Sequence, residues 1–145
     1  MGDRANIVIR ERWPADLGDS EAVFLYTHWE GTELPETLRR GLSAARGRWD
    51  DAPYLARILF QTMVGDNEGQ TGFSISTRLT DNEYDLLVLR DDRIYLVEER
   101  LYKATGFATL DQVPSLTFDD LVDDAVEPMT WARLQALAKP AGVAS

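Results

Sequence analysis

The sequence contains no cysteine and only one histidine among its 145 residues. Without cysteine the chain cannot form disulfides, thiolate zinc sites, iron–sulfur clusters or a cysteine nucleophile. A single histidine cannot supply the paired ligands of an HExxH zinc site. The sequence therefore predicts neither a metal site nor a cofactor.

The chain also lacks an apolar run long enough to span a membrane. Its first residues, MGDRANIVIR, are polar and charged, whereas a signal peptide needs an uninterrupted apolar segment. These two absences predict a cytoplasmic protein that does not bind membranes.

Basic residues are outnumbered by acidic ones, and the formal net charge is −10. Residues 1–60 contribute −2 and residues 61–145 contribute −8. A strongly acidic chain repels phosphate backbones, so general binding to DNA or RNA is disfavoured. The basic residues of the first 60 positions are all arginine, the side chain best suited to bidentate contact with phosphate or carboxylate.

The hydrophobic fraction, 44%, and the aromatic fraction, 10%, are typical of a globular protein that can bury a core. The length suits one domain, which we expect to cover residues 1–145 with a disordered tail from about 140 to 145. Four tryptophans and an amphipathic last helix are also compatible with a homodimer.

Five strands are predicted, the first by alternating apolar and polar side chains and the other four by short apolar or strand-like runs. They lie within residues 5–12, 22–29, 73–79, 85–90 and 93–100. The first two should pair as a hairpin across the turn at 15–20, and Asp91 and Asp92 should form a tight turn before the last strand.

Helical periodicity and capping signals predict helices between and after these strands. The first runs from about Pro35 to Arg46, and the second starts at Asp50 or Asp51 with Pro53 in its first turn. Thr117 should cap a short acidic helix, and a final helix should start near Pro128 or Thr130. The resulting ββααβββ order predicts an α+β fold, an antiparallel sheet of about five strands with two central helices on one face and C-terminal helical segments.

Two short segments resemble catalytic motifs but are incomplete. HWE at 28–30 begins like the HxE of zinc deaminases, whose PCxxC partner is absent here. GFSIS at 72–76 places a serine where GxSxG has its nucleophile, but Ser76 replaces the second glycine. These motifs assign no catalytic residue.

A binding corner is predicted where the two ends of the first hairpin meet. The start of the second helix should close the same corner and offer backbone donors to an anion. The predicted ligand-binding residues are Arg4, Asn6, Tyr26, His28, Trp29, Arg48, Trp49, Asp50, Asp51 and Arg57.

Four segments in this order resemble a family of small bacterial and phage proteins: GDRANIVI, FLYTHWEG, RWDDAPYLARILF and TGFSIS. The resemblance covers about the first 80 residues. One departure is Ser74, where many members of that family have glycine. The resemblance implies a phage or prophage context and no particular activity.

Three hypotheses of function follow from these observations. The first is a phage-type binding protein that sequesters a small anionic, nucleotide-like ligand or inhibits a host protein, with arginines on phosphate and aromatic rings on a base. The second is an acidic interaction module that acts through its negatively charged C-terminal half. The third is a hydrolase in which His28 is the general base and Asp50 or Asp51 orients it.

Overall fold

A computed structural model of the chain describes residues 2–10, 22–65 and 71–140. These residues form one six-stranded mixed sheet and five helices, which confirms the predicted α+β class. The predicted hairpin turn at 15–20 and the predicted tail beyond Pro140 lie outside the described residues.

The sheet has the strand order β3-β2-β1-β4-β5-β6. Its strands are β1 Ala5–Arg10, β2 Ala22–Thr27, β3 Phe73–Ser76, β4 Leu86–Arg90, β5 Arg93–Val97 and β6 Ser115–Thr117. The predicted β1–β2 hairpin pairing is confirmed, with Ala5 opposite Thr27. The central strands β1 and β4 are parallel, with Ile7 opposite Leu87 and Ile9 opposite Leu89, and all other neighbouring strands are antiparallel.

The prediction of a purely antiparallel sheet of about five strands is therefore wrong in two respects. β1 and β4 run parallel, a relationship that hydrophobic alternation within a strand does not encode. β6 has only three residues, Ser115–Thr117, too few to produce a recognisable period. β1 is one of the two central strands of the sheet, and all of its residues from Ala5 to Ile9 are buried.

The helices are α1 Leu34–Ala44, α2 Ala52–Val64, α3 Glu99–Thr105, α4 Phe118–Val122 and α5 Trp131–Leu137. The predicted starts of α2, α4 and α5 are confirmed: the side chains of Asp51, Thr117 and Thr130 accept backbone hydrogen bonds there. The fifth strand was predicted too long, because β5 ends at Val97 and Glu99 begins α3. No helix in the described ranges is long and apolar enough to cross a membrane.

Both faces of the sheet are covered. On one face Ile7, Leu25 and Leu87 pack against residues of α1, α2, α4 and α5, as predicted for the two central helices. On the other face Val8, Phe24, Val88 and Val97 pack against Leu110 and Val113, with Leu101 and Tyr102 of α3 at the margin. The ends of the strands are left as the places where polar groups and clefts can form.

Candidate functional site

Hydrogen bonds of Asp3 hold the segment before β1 against the end of the β1–β2 hairpin. The Asp3 backbone N–H donates to the His28 carbonyl over 2.7 Å, and its carbonyl accepts from Gly31 N–H at 2.8 Å. Its carboxylate accepts from the Thr32 N–H at 2.8 Å and from the Tyr84 hydroxyl. Burial opposes ionisation of Asp3, but the bonds from Tyr84 and Thr32 lower its pKa overall.

Arg4 and Asn6, two predicted ligand-binding residues, bind the loop that leads into β4. Arg4 Nε donates to Glu83 Oε1 at 2.8 Å, and Arg4 Nη1 lies 3.5 Å from Asp81 Oδ2. Asn6, only 1% exposed, donates through Nδ2 to the Asp81 carbonyl at 2.7 Å. These contacts neutralise the Arg4 guanidinium and orient the loop at 81–83.

Tyr26, His28 and Trp29 form a cluster at the end of β2, as the sequence predicted. The Tyr26 hydroxyl and His28 Nδ1 are 2.7 Å apart, and the His28 and Trp29 rings meet edge to face at 4.2 Å. The His28 backbone N–H also donates to the Gly72 carbonyl at 2.8 Å. The cluster therefore connects β2 to Gly72, the residue before β3, while the Trp29 side chain remains 56% exposed.

The structure separates the two halves of the predicted binding corner. Trp49 and Asp50 line a cleft with Ile9 and Arg10, at the end of β1 opposite to Arg4. A strand of six residues spans about 20 Å, so the start of α2 is far from the hairpin end. The prediction that these residues converge with the hairpin end is wrong, because α2 crosses the sheet and begins near the carboxyl end of β1.

Arg48, Asp51 and Arg57 are engaged locally at the start of α2. Arg48 Nη2 lies 3.1 Å from Asp51 Oδ2, and the Asp51 carboxylate also caps the helix by accepting the Tyr54 N–H. The Arg48 and Arg57 guanidinium groups lie 4.2 and 4.9 Å from the centre of the Tyr54 ring. The bond from Arg48, the cap and the ion pair lower the pKa of Asp51.

The cleft that contains Trp49 opens at the carboxyl ends of the parallel strands β1 and β4, and we call it the β1–β4 cleft. The chain leaves β1 toward β2 and leaves β4 toward β5, in opposite directions across the sheet. In open sheets with parallel strands, such a reversal leaves a crevice suited to ligands. Its volume is about 570 Å³, within the range of small-ligand pockets.

The walls of the β1–β4 cleft are aromatic and aliphatic, and its rim is acidic. Trp49 donates its Nε1–H to the Leu42 carbonyl at 2.9 Å and meets Phe118 edge to face at 5.2 Å, so both rings are held in place. The described lining residues are Ile9, Arg10, Trp49, Asp50, Ala52, Leu55, Leu89, Arg90, Asp91, Asp92 and Phe118.

The carboxylates at the rim repel one another. Burial raises the pKa of Asp92, and the neighbouring Asp50, Asp91 and Asp119 raise it further. Neither Asp50 nor Asp92 forms an ion pair with another described residue. No group of three or more carboxylate or histidine side chains in the described part of the chain is arranged to hold a metal ion.

The two arginines that line the same cleft are held by other groups. Arg90 Nη2 binds Asp111 Oδ1 at 3.0 Å, and Arg90 Nε lies 3.8 Å from Asp91 Oδ2. The Arg10 guanidinium lies 4.6 Å from the centre of the Phe107 ring, on the α3 side of the sheet. Both guanidinium groups therefore have partners other than Asp50 and Asp92.

Sequence reasoning missed the role of Asp91, Asp92 and Phe118 in lining this cleft. The two aspartates were predicted as a tight turn, and they do form one, with φ angles of 52° and 62°. Their meeting with Trp49 depends on the parallel β1–β4 pair, for which the sequence gives no local signal.

Comparison with known proteins returned no match: no family model, no curated protein and no solved structure is similar to this chain.

Proposed function

We propose that the chain is a cytoplasmic acidic interaction module that binds an arginine-bearing segment of a partner protein in the β1–β4 cleft. The observation that carries this proposal is the position of Asp50 and Asp92. Both carboxylates lie at the rim of an aromatic-walled cleft, and neither has an ion pair among the described residues. The net charge of −10 adds a long-range attraction for a basic partner.

Arginine suits this cleft better than lysine, because a planar guanidinium can stack on an aromatic ring and bind a carboxylate in the same pose. The protein itself provides an example of a cation–π contact on this ring, since the Arg46 guanidinium lies 5.4 Å from the centre of the Trp49 ring. A partner arginine between the rim carboxylates would also relieve the repulsion that raises the pKa of Asp92.

The anionic-ligand hypothesis receives less support from the same contacts. Arg4 is bound by Glu83, Arg48 is bound by Asp51, and Arg57 donates to Gln61 Oε1 at 2.8 Å. A phosphate would have to displace those partners, and Arg4 is at the far end of the sheet from Arg48.

The hydrolase hypothesis needs an aspartate beside His28, and the described residues do not provide that arrangement. His28 Nδ1 is bound to the Tyr26 hydroxyl, while Asp50 and Asp51 lie at the opposite end of β1.

The proposal is tested by fluorescence anisotropy with a labelled glycine–serine peptide that carries three arginines. The matched control peptide carries citrulline, which has the shape of arginine without its charge. We expect the arginine peptide to bind, the citrulline peptide to bind at least tenfold more weakly, and the affinity to fall as salt rises from 50 to 200 mM, roughly as expected for partly exposed charges.

The protein variants locate the binding site. The double variant Asp50→Asn/Asp92→Asn should lose about tenfold in affinity for the arginine peptide. The control double variant Glu33→Gln/Glu127→Gln, which removes the same two charges from exposed side chains outside the cleft, should lose less than twofold. Equal losses in both variants would mean that only the overall charge attracts the peptide, and the proposal would be abandoned.

A further inference from the structure

A second cleft opens at the other end of β5, and we call it the Asp85 cleft. β6 pairs with β5 only as far as Tyr95 opposite Ser115. The next residue of β5, Leu96, donates its backbone N–H to the carbonyl of Pro114, which precedes β6. The space beyond this last pair has a volume of about 570 Å³. α3 contributes Arg100, Leu101 and Ala104, and α5 contributes Gln135.

The floor and walls of the Asp85 cleft are mostly apolar. Leu96 and Val113 are buried beneath it, and Leu101, Ala104 and Pro114 complete the apolar lining. Volume and composition both fall in the range of pockets that bind small organic molecules.

Two carboxylates face this apolar space. Asp85 directly precedes β4, and Glu98 directly precedes α3. Asp85 forms no hydrogen bond or ion pair with another described residue. Burial raises the pKa of its carboxyl, and the nearby Glu98 raises it further. A half-buried carboxylate without a partner destabilises the fold, and a cation that paired with it would remove that cost.

The neighbouring acids are already occupied, which leaves Asp85 and Glu98 as the groups open to a ligand. Glu83 binds Arg4 at 2.8 Å, and Glu99 binds Lys103 at 3.1 Å. Arg100 is the only cation among the described residues of the cleft lining, and it forms no ion pair with any of them, so these residues keep a net negative charge.

We propose that the Asp85 cleft binds a small organic amine, with the ammonium group between Asp85 and Glu98 and an apolar body against Leu96, Leu101 and Val113. Charge complementarity selects the cation, and the apolar walls favour a hydrocarbon body over a hydrated metal ion or a polyamine. This site is independent of the β1–β4 cleft and of the function proposed for it.

The test compares 2-phenylethylamine with 2-phenylethanol, which has the same shape and no charge. Each is titrated into ¹⁵N-labelled protein at pH 7 while amide chemical shifts are recorded. We expect the amine to shift amides around Ala104, Gln112 and Gln135, and to bind at least tenfold more tightly than the alcohol.

Two variants make the outcome decisive. Asp85→Asn should weaken the amine about tenfold and leave the alcohol unchanged, and Ala104→Trp should block both by filling the cleft. Glu127→Gln, at a side chain that is 80% exposed and outside the described lining of this cleft, should change the affinity for neither compound. Equal affinity for amine and alcohol, or an unchanged amine affinity in Asp85→Asn, would overturn the proposal. Amine shifts confined to residues around Trp49 would also overturn it, without contradicting the function proposed for the β1–β4 cleft.

Discussion

The indole of Trp131 stacks on the phenol ring of Tyr84, with ring centres 4.7 Å apart and planes inclined by 10°. Trp131 Nε1–H also donates to the Gly31 carbonyl at 2.8 Å. The lack of a side chain at Gly31 permits the close approach of the Tyr84 ring, because a Cβ at Gly31 would lie 2.6 Å from that ring. The first turn of α5 is thereby joined to the hairpin end and to the loop before β4.

Trp131→Phe should therefore destabilise the fold while keeping an aromatic ring on Tyr84. The variant loses the hydrogen bond to Gly31, and we expect the free energy of unfolding in urea to fall by about 1–2 kcal/mol. Trp29→Phe is the matched control, because that indole is 56% exposed, and its effect should stay below about 0.5 kcal/mol. A loss of similar size in both variants would contradict the role assigned to the Trp131 hydrogen bond.

Asp3 should contribute to stability at neutral pH and not in acid. Its folded-state pKa is lowered by Tyr84 and Thr32 against the opposing effect of burial, so its contribution is present above the unfolded pKa and is lost as pH falls through the folded pKa. Asp3→Asn should lower the free energy of unfolding by about 1 kcal/mol at pH 7, because solvent screens this partly exposed group. Urea denaturation at pH 7 and pH 3 should show the difference shrinking in acid.

Tyr84→Phe checks the same network from the donor side. It removes one of the two bonds to the carboxylate, so the loss at pH 7 should be smaller than in Asp3→Asn. If Asp3→Asn were as stable as the parent protein at pH 7, the network would have no role in anchoring the segment before β1.

Gly72→Ala should be more harmful than an ordinary substitution of glycine in a loop. Gly72 has φ 109°, and a Cβ there would lie 2.9 Å from Trp29 Cδ1. Backbone strain and this contact together should cost about 2 kcal/mol in thermal or urea unfolding.

Gly47→Ala separates these two effects, because Gly47 has φ 91° but open space around its Cβ position. It should cost about 1 kcal/mol, the part due to the backbone alone. Adding Trp29→Ala to Gly72→Ala should bring the loss down to that level. No recovery in the double variant would show that the indole is not the obstacle.

Asp92→Asn should raise the melting temperature at pH 7. A carboxyl whose folded-state pKa is raised, here by burial and then by Asp50, Asp91 and Asp119, stabilises the fold at low pH and loses that contribution as pH rises through the folded pKa. Neutralising it at pH 7 should therefore raise the melting temperature by about 1–2 °C, a small effect because the group is largely solvated.

Asparagine is the suitable replacement, because it tolerates the φ of 62° at this position. Asp91→Asn is the matched control in the same turn. It removes the ion pair with Arg90 at 3.8 Å, so scanning calorimetry should show no rise in melting temperature. A rise at both positions would indicate a general effect of net charge.

Much of the fold could be predicted from the sequence because its signals are local. Alternation marked β1, apolar runs marked β2 and β4, and Asp51, Thr117 and Thr130 marked the helix starts that the structure shows. α3 was missed because its first residues, Glu99 and Arg100, were assigned to the end of the fifth predicted strand, and a seven-residue helix with no fully buried residue has little periodicity of its own.

The site was harder to predict because it depends on which strands become neighbours. Tyr26, His28 and Trp29 are brought together by one strand end, and the sequence placed them correctly. Trp49 and Asp50 were assigned to the wrong end of the sheet, because the direction in which α2 crosses it is set by packing over β1 and β2. Asp85 was overlooked because nothing next to it in sequence reveals its unpaired, half-buried position.

The parallel pairing of β1 with β4 also determines how the chain can fold. Ile7 must meet Leu87, so about 80 residues separate the two partners, whereas β4 and β5 are joined by a two-residue turn. Closing a loop of that length costs about 4 kcal/mol in chain entropy, by the logarithmic dependence on loop length. The folding rate should therefore be limited by the encounter of the two halves of the sheet, and Val88→Ala should slow refolding more than a comparable truncation in β2.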